Sequence, residues 1–153
     1  MWITLTVANV KERFAGAEYN SVTAAALNTG QDATTLVEQS ISRITNEVRG
    51  YIPSSTPRGE NGTIPDELER SALALIVYDV LTRLPSLKAL LTEERKDAEA
   101  AAREQLKLCS RGDFRVTPPE TAAAPEDQPP VNKISVINSR ERTATRTTMS
   151  GLT

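Results

Sequence analysis

Glu93, Asp97 and Glu104 come closest to a catalytic pattern. Carboxylates three, four or seven apart share one helix face, and paired carboxylates do general acid–base work. Their neighbours argue otherwise. Oppositely charged pairs such as Glu99 and Arg103 sit four apart on the same stretch, the pattern of a solvated helix face. The 153-residue chain contains no histidine and one cysteine. A Ser-His-Asp triad, a Cys-His dyad, a His-bearing zinc site and an internal disulfide are therefore excluded within it. Cys109 falls on an apolar helical stripe and is expected to be a buried structural thiol. Asn61-Gly62, within RGENGT, lacks the lysine followed by Ser/Thr that a phosphate-cradling loop needs. Asp66, Glu67 and Glu69 do not have calcium-loop spacing. The chain is expected to be no enzyme and to need no cofactor or metal.

Charge offers a second lead. The formal net charge is −2, yet residues 131–153 carry Lys133, Arg140, Arg142 and Arg146 against Glu141, leaving −5 on residues 1–130. Such asymmetry suggests an interaction arm. The arginines could meet nucleic-acid phosphates or an acidic protein surface. Residues 115–153 contain no aromatic platform on which bases could stack, so protein docking is favoured. A tail without a role also fits the composition. No run of apolar residues is long enough to span a membrane, and no secretory signal is expected in MWITLTVANVKERF.

These groups must be positioned by helices. Thr6 reads as the N-cap of a first helix, with Val7, Val10 and Phe14 on one face and Gly16 as its end. A second, short helix is expected over 20–27. Asp32 should cap a third, in which Val37, Ile41, Ile44, Val48 and Tyr51 form a stripe opposite polar Glu38, Ser42, Thr45 and Arg49. Pro53 stops it. The loop SSTPRGENGT is long enough to make contacts through Arg58, Glu60 and Asn61. Ile64-Pro65-Asp66-Glu67 reads as the opening of a fourth helix, with proline in its first turn. Its body, ALALIVYDVL, is apolar nearly all round, so it is buried in the core or between subunits. A fifth helix runs from Thr92 to Arg111, with Gly112 as its stop and Ala98, Ala102, Leu106 and Cys109 as its stripe. Phe114-Arg115-Val116 is expected to be extended and to pack back.

The expected fold class is mainly α: a small bundle of four to five helices with an extended C-terminal arm. Residues 1–116 form the helical domain. Residues 117–130 (TPPETAAAPEDQPP), holding five of the nine prolines, form a stiff linker. Residues 131–153 form the arm.

The order of segments resembles the head–tail adaptor (connector) family of Mu-like phages. The likeness rests on Ile3-Thr4, on Phe14-Ala15-Gly16 and on Val48-Arg49-Gly50-Tyr51-Ile52. It continues through Ile64-Pro65, Leu68, Ala72, Ile76-Val77-Tyr78 and Arg83, then Ala102, Leu106 and Gly112. It closes on Arg146, Met149 and Gly151-Leu152. The sequence departs from the family at the loop after Tyr51, where Arg58 has no adjacent aromatic, and at Glu99, where an aromatic is common. The resemblance implies a virion protein of the head–tail neck, present in the host cytoplasm during assembly. It implies a homo-oligomeric ring of about twelve copies under the portal protein, facing a stopper or tail-completion protein. Genomic duplex DNA would pass through without specific binding. The arm, through Ile134, Val136, Arg140, Arg142, Arg146, Met149 and Leu152, would hold the partner. The alternative is a small nucleic-acid-associated regulatory protein using its basic tail.

Overall fold

The computed structural model describes residues 1–120. It is mainly helical: five α-helices, two short strands and two 3-10 segments. The expected arm, and with it Ile134, Val136, Arg140, Arg142, Arg146, Met149 and Leu152, lies outside the described residues.

The strongest sequence signals position the helices as expected. Thr6 accepts a hydrogen bond from the Asn9 N–H, and the Asn9 side chain accepts one from the Thr6 N–H at 2.9 Å. Helix α1 (Val7–Lys11) follows. Asp32 caps α3 (Ala33–Tyr51) by accepting from the Thr35 N–H at 3.1 Å. Thr92 caps α5 (Glu93–Arg111). Gly112 closes α5 at φ +84°, a left-handed conformation that glycine adopts without the Cβ clash. The Asp113 and Phe114 N–H groups then return to the Leu108 carbonyl at 3.0 and 3.2 Å. That turn sends Phe114 and Val116 back to pack against the core.

Several boundaries differ. Helix α1 is a little over one turn, and Gly16 opens α2 (Gly16–Asn28) rather than ending α1. Turns after Val10 and Lys11 break the helix, so Phe14 reaches the core from a bend. Ile64-Pro65 belongs to a strand, not to a helix. Strand β1 (Trp2–Thr4) pairs antiparallel with β2 (Thr63–Pro65), setting Trp2 opposite Pro65 and Ile3 opposite Ile64. A 3-10 turn, Asp66–Leu68, leads into α4 (Glu69–Arg83), and a second, Pro85–Leu90, leads away from it.

Helix α4 is the axis of the body and packs on α1, α3 and α5. Ala72, Leu73, Leu75, Ile76, Val77, Val80 and Leu81 are all buried by the chain itself. Its apolar surround therefore needs no neighbouring subunit to cover it. The α3 stripe is wider than expected. Leu36, Val37, Ile44 and Val48 are buried, and so are Ser40, whose hydroxyl accepts from Arg83 of α4 at 3.3 Å, and Thr45; α5 also contacts α3. Arg103 of α5 reaches Glu47 of α3 at 3.0 Å across that contact. The α5 stripe starts at Ala102; Ala98 is exposed. Cys109 is fully buried, and burial pushes its thiol up from the ordinary value.

Candidate interface at the loop and the C-terminal segment

Arg49 sits in the last turn of α3 with its guanidinium projecting into the following loop. Its Nη1 donates to the Thr63 carbonyl at 2.6 Å and to the Glu60 carbonyl at 2.9 Å; Nη2 donates to the Gly59 carbonyl at 3.2 Å. A planar fork of donors is the group that can satisfy three carbonyls of one loop at once. Its carbon centre lies 5.6 Å from the Trp2 ring, within the cation–π range.

Arg58, Glu60 and Asn61 all stand in this loop. Arg58 donates to the Ile52 carbonyl at 3.3 Å and fastens the loop to the end of α3. Glu60 holds the loop through its carbonyl, which also accepts from the Thr63 hydroxyl at 2.7 Å. The Asn61 side chain is exposed, and Gly62 beside it turns at φ +85°. The loop is a held element, shaped mainly by backbone groups.

Trp2 also reaches the other end of the described chain. Its indole Nε1 donates to the Thr117 carbonyl at 2.9 Å. The Thr117 N–H donates to Glu67 Oε1 at 3.0 Å, and the Thr117 hydroxyl donates to the same oxygen. Thr117, the first residue of the expected linker, is therefore anchored on the helical body. The other Glu67 oxygen is buried with no hydrogen-bond partner among the described residues. Beside this anchor lies a cleft of about 350 Å³. Pro53, Ser55, Thr56 and Pro57 line it from the loop, and Phe114, Val116 and Pro118 from the C-terminal segment.

Gly59 makes the arrangement possible. A Cβ at this position would stand 2.8 Å from Trp2 Cε3 and 2.9 Å from Thr63 Oγ1. Gly59→Ala is expected to push Trp2 off its seat and cost roughly 1–3 kcal/mol. Trp2 is the only tryptophan, so its emission maximum reports the shift directly. An unchanged spectrum and melting temperature would contradict this packing.

The sequence alone does not single out Arg49, Trp2, Gly59 and Thr117 as a site, because their contacts join segments far apart in the chain. The one available signal was Arg49 itself, a lone charge beside apolar Val48, Tyr51 and Ile52.

Among the described residues no three His, Cys, Asp or Glu side chains are grouped to hold a metal ion, and no helix is long and apolar enough to cross a membrane. The chain matches no family model, and no curated protein or solved structure is significantly similar to it.

Proposed function

We propose that this chain is a structural protein of a phage-type virion, a head–tail adaptor. In this reading about twelve copies form a ring under the portal protein, and the ring extends the DNA channel and receives a stopper or tail. The observation that carries the reading is the shared anchor of loop and C-terminal segment. A rigid bundle holds the loop through Arg49 and grips Thr117 through Trp2 and Glu67. A chain that must bridge two layers of an assembly needs such a fixed root from which a partner-binding segment departs. The order of the family-like segments and the mainly helical fold support it as well.

Charge supports passage of DNA less directly than residues 1–130 as a whole suggest. Residues 1–116 hold fourteen Lys/Arg against sixteen Asp/Glu, a net of −2, and Glu120, Glu126 and Asp127 contribute the remaining −3. Weak, non-specific repulsion of phosphates is what that balance predicts for the body.

The test is assembly. Full-length protein mixed with its cognate portal should give rings stacked on the portal in negative-stain images. The chain without residues 131–153 should remain helical by circular dichroism and fail to stay on the portal. Absence of rings, together with a gel shift that weakens steeply with salt, would favour the nucleic-acid-associated reading instead.

A further inference from the structure

Away from the loop, α4 and α5 leave a groove on the surface. Arg13, Arg70 and Arg95 border a hollow of about 220 Å³ whose lining includes Ala74 and Ala98. A second hollow, of about 270 Å³, shares Arg70, Ala74 and Ala98 and continues past Ala101. The two are one groove along the α4–α5 seam. From Arg95 to Gln105 it follows α5 for about 15 Å at 1.5 Å per residue.

We propose that this groove docks an acidic amphipathic helix of a partner protein. The walls decide the conformation of the occupant. They are flanks of helices whose N–H and C=O groups are bonded along their own axes, so an extended peptide would find no backbone partners there. A helix arrives with its backbone satisfied. Alanine at positions 74, 98 and 101 lets a third helix approach closely, toward the lower end of the 8–10 Å range of packed helices.

The rim decides the charge. Arg95 already holds Glu18 at 2.7 Å and lies 5.6 Å from the Phe14 ring. Arg13 and Arg70 are exposed and have no carboxylate partner among the described residues. Two uncommitted guanidiniums beside a floor of small side chains, interrupted by the hydrogen-bonded Ser71 and Gln105, match a helix with small or branched apolar residues on one face and carboxylates at its border. A nucleic-acid backbone gains nothing from an alanine floor and meets Glu18 at the rim. The inference goes beyond the adaptor reading and does not depend on ring formation.

The probe is a fluorescein-labelled designed helix of about eighteen residues, roughly five turns. It carries Leu and Ala on one face and glutamates beside it. Its anisotropy is followed as full-length protein is added. Binding should weaken with salt, and a sister peptide with glutamine for every glutamate should bind at least about tenfold more weakly. The double variant Arg13→Glu/Arg70→Glu should lose about tenfold or more in affinity. Ala101→Trp should block the groove; all three positions are exposed, so circular dichroism should stay unchanged. Equal binding of the two peptides, no binding of either, or full affinity in the variants would overturn the proposal. So would a short DNA duplex that displaces the peptide and binds more tightly, which would assign the arginines to phosphate.

Discussion

Ile76→Asp is expected to remove much of the stability of the folded state. Ile76 lies at the centre of α4 with no exposed surface, and α4 packs on α1, α3 and α5. An unpaired carboxylate there loses the apolar contacts and must also be desolvated or protonated. Together these cost roughly 4 kcal/mol or more, against a total stability of about 5–15 kcal/mol for a domain of ordinary stability. Ile44→Asp in α3 provides the contrast. Ile44 is also buried, at 3% exposure, but it borders a surface groove lined by Arg43 and Arg103. Asp79 and Glu47 already hold those guanidiniums, but an aspartate at 44 can reach water through the groove, so its cost should be smaller. Urea melts of the two variants check the order. An Ile76→Asp variant as stable as the parent chain, or an Ile44→Asp variant less stable than Ile76→Asp, would contradict the position of α4 as the axis.

Arg49→Ala should have the second-largest effect. Three carbonyls, those of Gly59, Glu60 and Thr63, lose a charged donor together. Hydrogen bonds to charged groups contribute about 1.5–3 kcal/mol each, and bonds within one network do not add. A loss of roughly 2–4 kcal/mol is expected. Arg49→Lys should recover only part of it, because one ammonium cannot reproduce the planar fork. The damage should be local first. The Trp2 emission and amide exchange in 59–65 should change in Arg49→Lys while the α5 amides remain protected. Uniform loss of protection across the chain would mean that Arg49 supports the whole fold rather than the loop.

These two residues also mark what the sequence reveals and what it conceals. The caps at Thr6, Asp32 and Thr92 and the stop at Gly112 are legible because each is a local event: a side chain or a left-handed turn satisfies groups within three or four residues. The burial of α4 is legible because no face of it is polar enough for water. The β1–β2 pair is not legible. Each strand is three residues long, too short for an alternating pattern, and the pairing joins segments about sixty residues apart. The burial of Ser40 and Thr45 is hidden for a related reason. Their exposure depends on which elements land on α3, and polar side chains there do not announce a second contact. Arg58, Glu60 and Asn61 were legible as a loop, yet its shape comes from backbone carbonyls gathered by Arg49, which no pattern of residue types encodes.

The bond from Trp2 to the Thr117 carbonyl spans 115 positions of the chain, and that sets a clock on biosynthesis. A ribosome adding about 5–20 residues per second needs roughly 6–23 s to travel from one to the other. During that interval β1 first lacks β2, and the indole then still lacks its acceptor. The nascent chain must wait with an unpaired strand and a solvated tryptophan while the helices gather. Contacts this distant in sequence form late because loop closure precedes their reward. The tryptophan signal should therefore settle after the helical one when the protein refolds, making the seat of Trp2 the last part of the molecule to be completed.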